Sequence, residues 1–203
     1  MVVIVDYGVG NLFSLVSSFK AIGVNAIASG DKEVIRSADK IILPGVGAFE
    51  DASNKLFSSG LADIVVEQAK KGVPLLGICL GMQLLFDKSY EYGEHKGLSL
   101  IKGEIRPISD VIPKDYKIPH IGWNALKITG EKDGLFKYIK NGDHVYFVHS
   151  FYGTNCSDSI VATTEYGASL TASVAKGNVY GCQFHPEKSG DVGLNILRAF
   201  CGV

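Results

Sequence analysis

The chain has 203 residues, of which 46% are hydrophobic, and a formal net charge of −1. This length suits one domain with a substantial core, and the balanced charge argues against a general nucleic-acid binder, which would show a basic excess. High apolar content with low net charge argues against disorder. The apolar start of the chain has no basic leader and is too short for a signal peptide or a membrane span, so we expect a cytoplasmic protein.

The cysteines give no sign of a disulfide framework or a zinc site. The four are Cys79, Cys156, Cys182 and Cys201. No two have the C-x-x-C spacing, and a chain of this length does not need covalent staples. We therefore expect reduced thiols, no metal and no cofactor.

The first half alternates short apolar runs with segments of helical periodicity. Strands are predicted at residues 2–5, 25–28, 41–43 and 73–78. Helices are predicted after Asn11, which can cap the first of them, over residues 48–70 with a break near Gly60, and from 81 to 86. This alternation favours a parallel sheet covered by helices on both faces.

The second half has the pattern of strands joined by hairpin turns. Strands are predicted at residues 103–108, 125–128, 144–149, 160–166, 170–176 and 179–184, and a helix at 191–201. No linker or internal repeat interrupts the chain. We therefore predict one α/β domain over residues 1–203, with a mixed, mainly parallel central sheet and antiparallel additions.

A strand that runs into G-x-C-x-G and then a helix has the form of a nucleophile elbow, with Cys79 in place of serine. Gly77 and Gly81 leave room for a sharp turn that exposes the thiol at the end of the strand. A lone cysteine between two glycines is more often structural, but this context favours a nucleophile.

A nucleophilic cysteine needs a base, and the base needs a partner that orients it. His185 follows a predicted strand, and Glu187 lies two residues further on, across a proline. No other histidine combines a strand end with an adjacent acid, although an exposed His-Pro turn would have the same sequence.

Acyl transfer also needs N–H groups directed at the developing oxyanion. The N–H of Leu80 is one candidate donor, and a glycine N–H from residues 44–47 (Pro-Gly-Val-Gly) is the other. Alone, the second segment would be an ordinary glycine-rich turn. A G-x-G after the first strand lacks the third glycine and the acidic residue of a dinucleotide site, so a nucleotide is not expected.

Together these segments resemble the class I (triad) glutamine amidotransferases, and within them the glutaminase subunits of imidazole glycerol phosphate synthase. The resemblance extends over essentially the whole chain. It includes residues 6–11, 44–49, 77–86, 146–150 and 184–189, and the segment at 119–124 is the most specific to the subfamily. It implies a three-layer αβα, flavodoxin-like fold and the hydrolysis of glutamine to glutamate and ammonia.

The resemblance also implies roles for individual residues. Cys79 matches the nucleophile, His185 the general base and acid, and Glu187 the orienting carboxylate. Gly47 and Leu80 match the oxyanion donors, with Val46 in a peptide that reorients. The positions that match the binding site for the amino-acid head group of glutamine are Gln83, Glu91, His149, Ser150 and Phe151, the last of which is usually tyrosine in the family.

The partner that the resemblance implies is a (β/α)8-barrel cyclase subunit, which receives the ammonia through a sealed passage. Residues expected at this interface are Asn11, His120, Trp123, Asn124, Tyr146 and Lys188. Pro119 and Gly122 predict that Trp123 lies in a loop. Two alternatives stay open: a related glutaminase that supplies ammonia for amidination of a surface sugar, and a non-catalytic flavodoxin-like scaffold.

Overall fold

The computed structural model describes residues 1–129 and 134–202. Its strands are β1 (Val2–Val5), β2 (Ala26–Ser29), β3 (Lys40–Leu43), β4 (Leu75–Ile78), β5 (Phe86–Ser89), β6 (His95–Lys96), β7 (Ile101–Pro107), β8 (His120–Ala125), β9 (Lys127–Ile128), β10 (His144–His149), β11 (Phe151–Thr154), β12 (Ile160–Glu165), β13 (Ser169–Lys176) and β14 (Val179–Cys182). Its α-helices are α1 (Leu12–Ala21), α2 (Lys32–Arg36), α3 (Phe49–Ser58), α4 (Leu61–Lys70), α5 (Leu80–Leu84) and α6 (Gly190–Cys201).

The central sheet has eight strands in the order β2-β1-β3-β4-β14-β13-β12-β9. The pairings from β2 to β14 are parallel, and those from β14 to β9 are antiparallel. The predicted mixed sheet is therefore confirmed. Strand β4 is the fourth of the eight strands, so the residue that follows it emerges near the centre of the sheet edge.

Helices cover both faces of this sheet, as the alternation of side chains along its strands requires. Val3 and Val5 of β1 face the apolar cluster that includes residues of α2, α3 and α4. Val2 and Ile4 face the opposite cluster, which includes residues of α1 and α6. The predicted three-layer αβα arrangement is confirmed, and among the described helices none is long and apolar enough to cross a membrane.

Two smaller sheets flank the carboxyl edge of the parallel strands. Strands β8 and β10 form an antiparallel pair in which Trp123 lies opposite Tyr146. Strands β11, β7, β5 and β6 form the other sheet. The end of β10 and the start of β11 bring His149, Ser150 and Phe151 next to the elbow.

Several local predictions were confirmed. Asn11 caps α1 by accepting a hydrogen bond from the Ser14 N–H at 3.3 Å. The break near Gly60 separates α3 from α4, and this glycine has the left-handed φ of +71°. Strand β10 has the predicted bounds, and α6 begins one residue early.

Other local predictions were wrong. The helix predicted to reach residue 86 ends at Leu84, because Phe86 pairs with Ile101 of β7. Trp123 lies in β8 rather than in a loop, since that segment pairs with β10. The strand predicted to reach residue 184 ends at Cys182. The sequence analysis also missed α2, β5, β6 and β11.

Candidate active site

Cys79 occupies a sharp turn between β4 and α5. Its φ is +54°, in the left-handed region that non-glycine residues rarely adopt, and its N–H donates to the Cys182 carbonyl of the neighbouring strand at 2.8 Å. A strained backbone of this kind persists only where the surroundings hold it. The predicted sharp turn is therefore present, but the expectation that it exposes the thiol is wrong, since Cys79 is buried, with 7% of its surface exposed.

The glycines around Cys79 allow backbones to approach closely. A Cβ on Gly81 would lie 1.9 Å from the Leu43 carbonyl oxygen, which fixes α5 against the end of β3. A Cβ on Gly45 would lie 2.7 Å from the Gly81 nitrogen. The glycine-rich loop after β3 therefore packs directly on the elbow, and no larger residue fits at either place.

His185 and Glu187 form a buried pair behind Cys79. The His185 Nδ1 atom lies 2.8 Å from Glu187 Oε1, and the two side chains are 3% and 2% exposed. The turn that holds them is tied to β10, since the His185 N–H donates to the Tyr146 carbonyl and the Tyr146 N–H donates to Ser189 Oγ. The Glu187 carboxylate thus fixes which imidazole nitrogen faces the thiol.

The charges around His185 favour the imidazolium. Burial alone would lower the pKa of His185, but the hydrogen bonds from its ring to Cys79 and Glu187 outweigh burial and raise that pKa to about 10. The three side chains therefore form one electrostatic unit, as a cysteine nucleophile with its base and orienting acid requires.

Cys79 and His185 line a cavity of about 300 Å³ together with Val46, Gly47, Leu80, Gln83, Glu91, Tyr92, Pro119, Val148, His149, Ser150 and Phe151. The residues that the sequence analysis assigned to the nucleophile, base, oxyanion donors and head-group site all line it. Glu187 lies behind His185 and does not. The structure thus brings together segments that are remote along the chain.

The loop at residues 44–47 is anchored at one end and free at the other. The Tyr7 hydroxyl, which is buried, donates to the Pro44 carbonyl at 2.7 Å. At the far end, Val46 is 45% exposed, and Gly47 has a φ of +92° with open space where a Cβ would stand. The peptide before Gly47 therefore has room to rotate.

The other candidate oxyanion donor is the Leu80 N–H. It lies in the first turn of α5, where helical N–H groups lack an intrahelical acceptor.

One side of the cavity carries groups suited to an amino-acid head group. Glu91 is tied to the start of α3, since its Oε2 accepts from the Phe49 N–H at 2.7 Å. Burial raises the pKa of Glu91, against the smaller opposing effects of that hydrogen bond and of His95. Opposite, the Gln83 Nε2 donates to the Phe151 carbonyl at 3.2 Å. A carboxylate and several backbone amide groups thus face the cavity.

A chain of hydrogen bonds leads from the cavity to β8. The His149 Nδ1 lies 2.8 Å from the Phe151 carbonyl, which can only accept, so this nitrogen holds the proton. The His149 Nε2 then accepts from His120 Nδ1 at 2.9 Å, and the His120 Nε2 accepts from Asn124 Nδ2 at 3.3 Å. Burial lowers the pKa of both histidines to about 4, so both are neutral.

The expected interface residues divide into a surface group and a buried one. Trp123 is 55% exposed and packs edge-on against Tyr146, with the ring centroids 6.2 Å apart. The Lys188 ammonium lies 5.7 Å from the Tyr146 ring. These three form an exposed patch, which we call the Trp123 patch.

His120 does not lie on this surface. It is 2% exposed, because its ring stacks between Phe147 and Tyr166. Its side chain supports β8 from beneath, and the place of His120 at the interface stays a prediction. Asn124 is half-buried and donates to the Glu165 carbonyl.

The sequence analysis missed Tyr92, Pro119 and Val148 in the cavity lining and Gln183 beside the thiol. Gln183 is fully buried at the end of β14, and its position immediately before Phe184 and His185 was the one available signal. Among residues 1–129 and 134–202, no group of three or more His, Cys, Asp or Glu could hold a metal ion.

Comparisons with known proteins agree with this geometry. The sequence profile of the family "Glutamine amidotransferase class-I" matches residues 3–201. The imidazole glycerol phosphate synthase subunit HisH of Lactococcus lactis is 48% identical over 98% of this chain and 96% of its own length. The subunit of the same name from Caldanaerobacter subterraneus is 50% identical over 98% and 97%.

Two solved structures show the same fold. One, described as a glutamine amidotransferase, has a TM-score of 0.76, with 21% identity and full coverage of both chains. The other, described as PurLQS from Thermotoga maritima, has a TM-score of 0.73 with 18% identity, covering 99% of this chain and 97% of its own. At this level of identity they show the fold alone.

Proposed function

The chain belongs to the class-I glutamine amidotransferase family, and we propose that it is the glutaminase subunit of an imidazole glycerol phosphate synthase. It hydrolyses L-glutamine to glutamate and ammonia. The ammonia passes to a cyclase subunit, which forms imidazole glycerol phosphate and AICAR in histidine biosynthesis. Near-half identity over almost the full length of the synthase subunits supports this function over that of a sugar-amidinating relative.

In the first half of the reaction, the Cys79 thiolate attacks the carbonyl carbon of the glutamine side-chain amide. The resulting oxyanion is held by the N–H groups of Leu80 and Gly47. The His185 imidazolium gives a proton to the nitrogen as the C–N bond breaks, so that ammonia leaves and a glutamyl thioester stays on Cys79. The short Glu187 contact keeps the imidazole directed at the sulfur throughout.

In the second half, water takes the place of ammonia. Neutral His185 removes a proton from the water as its oxygen attacks the thioester, and the C–S bond breaks to release glutamate and the thiolate. Gln83, Glu91, His149, Ser150 and Phe151 hold the amino-acid head group, and Glu91 supplies the negative charge for the ammonium. The Phe151 carbonyl accepts from Gln83 and His149, and the missing tyrosine hydroxyl does not alter these two contacts.

The loop at residues 44–47 is the proposed switch. Tyr7 holds its start, while the peptide between Val46 and Gly47 has space to turn its N–H toward the oxyanion. One missing donor costs about 3–4 kcal/mol of transition-state stabilisation, which lowers the rate by several hundredfold or more. The isolated chain is therefore slow until the partner and its ligand favour the turned peptide.

The partner is a (β/α)8-barrel cyclase that forms a heterodimer with this chain. The Trp123 patch is the proposed centre of the interface, since it joins a large exposed aromatic ring to a cation near the active-site turn. Asn11 lies at the start of α1 and belongs to the same interface. A sealed passage keeps ammonia neutral, because protonation in bulk water would remove its nucleophilic lone pair.

The proposed domain is a single amidotransferase unit over residues 1–203. Its proposed compartment is the cytoplasm, which agrees with the four unpaired thiols of Cys79, Cys156, Cys182 and Cys201. The buried ones among these, apart from Cys79, lie in the core and have no role in the proposed reaction.

The observation that supports the proposal most strongly is that Cys79 and His185 line one cavity, with Glu187 held against His185 from behind. The test is to mix the chain with its cyclase partner and measure product formation from glutamine and from added ammonia. Cys79→Ser should abolish the glutamine-dependent reaction and leave the ammonia-dependent one intact. Loss of both reactions would mean that Cys79 serves the fold or the docking instead.

A further inference from the structure

Gln183 is a fully buried amide that touches the sulfur of Cys79. Its Nε2 lies 3.8 Å from Cys79 Sγ, within the range of a hydrogen bond to sulfur, and its side chain is inaccessible to solvent. A buried amide needs partners for both of its ends. Its other end meets Gln83, whose Nε2 donates to Gln183 Oε1 at 3.0 Å.

The orientation of both amides is fixed by one carbonyl group. The Phe151 carbonyl can only accept, so the atom of Gln83 that faces it must be the nitrogen. The second hydrogen of that nitrogen points to Gln183, which must then present its oxygen to Gln83 and its nitrogen to Cys79. The same carbonyl accepts from His149. The N–H direction toward the sulfur is therefore determined by the fold.

We propose that Gln183 is a further catalytic residue of the glutaminase reaction, whose amide N–H stabilises the Cys79 thiolate before attack and on release of glutamate. This inference rests on the proposed function and adds a donor opposite the imidazolium. Through Gln83, the same side chain also positions a wall of the glutamine site. An amide is suited to this place because it gives a neutral donor to the sulfur and an acceptor to Gln83.

The other groups near the sulfur cannot replace this donor. The His185 imidazolium gives its proton to the departing ammonia, so after that step this nitrogen can no longer donate to the sulfur. The Tyr7 hydroxyl is committed to the Pro44 carbonyl. The Val148 carbonyl, 4.0 Å from the sulfur, is an acceptor and would repel a thiolate. Cys182, Glu187 and Glu91 are negative when ionised, so they cannot stabilise a thiolate. His149 also lines the cavity, but its two ring nitrogens are bonded to His120 and to the Phe151 carbonyl.

Two variants separate the donor role from the packing role. Gln183→Met keeps the length of the side chain but removes both the donor to sulfur and the acceptor for Gln83. Gln183→Glu keeps an oxygen for Gln83 and replaces the N–H groups facing Cys79 by a second oxygen. Gln68→Leu, at a buried glutamine of α4 outside the cavity lining, is the control for loss of a buried amide.

The primary measurement is the rate of iodoacetamide alkylation of the full chain against pH, with peptide mass mapping to Cys79. It needs neither glutamine nor a partner, so it stands apart from the proposed function. The pH of half-maximal alkylation should rise by about 1–2 units in Gln183→Met. A shift of this size is what the loss of one hydrogen bond to a charged acceptor produces. It should rise at least as far in Gln183→Glu and stay unchanged in Gln68→Leu.

The second measurement is glutamine-dependent turnover in the complex with cyclase. Gln183→Glu should lower kcat by about 10-fold or more with little change in KM, whereas Gln183→Met should lower kcat and also raise KM. Thermal unfolding identifies any variant that does not fold. If one of the two Gln183 variants fails to fold, the alkylation profile of the other one tests the proposal. An alkylation profile that matches the wild type in a folded variant would overturn the proposal. Absence of turnover by the wild-type complex would instead refute the glutaminase assignment.

Discussion

Replacing Glu187 by glutamine changes the charge of the triad without changing its shape. The carboxylate is 2% exposed and 2.8 Å from His185 Nδ1, so it stabilises the imidazolium with little competition from water. A glutamine oxygen can still accept from Nδ1, but without the charge. A charged hydrogen bond is worth about 1.5–3 kcal/mol, so the pKa of His185 should fall by about 1–2 units and kcat by about 10- to 200-fold.

The assay is glutamine-dependent synthesis by the complex with cyclase, measured across pH and paired with synthesis from added ammonia. Glu187→Gln should reduce only the first reaction. Its activity should also decline at a lower alkaline pH than that of the wild type, because its imidazolium would lose its proton about 1–2 pH units below the wild-type pKa of about 10. The matched control is Glu104→Gln, which removes a carboxylate paired with Arg106 outside the cavity. Activity of Glu187→Gln above half of the wild-type value, with an unchanged pH profile, would refute this account of the triad.

Three further predictions follow from the packing, the surface and the buried histidines. Gly81→Ala places a Cβ 1.9 Å from the Leu43 carbonyl oxygen. We therefore expect the free energy of unfolding to fall by about 1–3 kcal/mol and the glutaminase activity to fall by about 100-fold. Unchanged values of both would contradict the close packing of the elbow on β3. Trp123→Ala should weaken cyclase binding by about 2 kcal/mol, or about 30-fold in Kd by calorimetry, and wild-type affinity would place the interface elsewhere. Burial lowers the pKa of His149 from 6.5 to about 4, so the folded chain binds fewer protons than the unfolded one between these values. The resulting stability is present above pH 6.5 and is lost as the pH falls toward 4. Between pH 7 and 5, His149 should contribute about 2 kcal/mol to the loss of stability, beside the loss from His120, whose pKa is lowered in the same way. Denaturant titrations should therefore show a smaller loss in His149→Asn than in the wild type, and an equal loss in both proteins would refute the assignment.

The parallel half of the fold could be predicted from sequence because its signals are local. Apolar runs of strand length end at glycines, and helical periodicity separates them, as at β1, α1 and β4. Strand β8 was missed because Pro119 and Gly122 interrupt its pattern and its partner β10 lies about twenty residues further along. Strand β5 was missed because Phe86 continues the apolar pattern of α5 and only its pairing with β7 ends the helix.

The candidate site was predictable in its chemistry and less so in its supports. A cysteine at an elbow and a histidine two residues from an acid can be recognised without coordinates, and family resemblance supplied the head-group residues. Gln183 could not be recognised, because its direction depends on Gln83 and the Phe151 carbonyl, 100 and 32 positions away along the chain. The burial of His120 likewise depends on the ring of Phe147, from β10, and the ring of Tyr166, from the turn after β12.

The most direct test of the central claim is covalent labelling with a diazo-ketone analogue of glutamine in the presence of cyclase, followed by intact-mass and peptide analysis. A triad assembled as described predicts one adduct per chain, on Cys79, that excess glutamine prevents from forming. An adduct confined to Cys156, Cys182 or Cys201, or no adduct even with the partner bound, would contradict it.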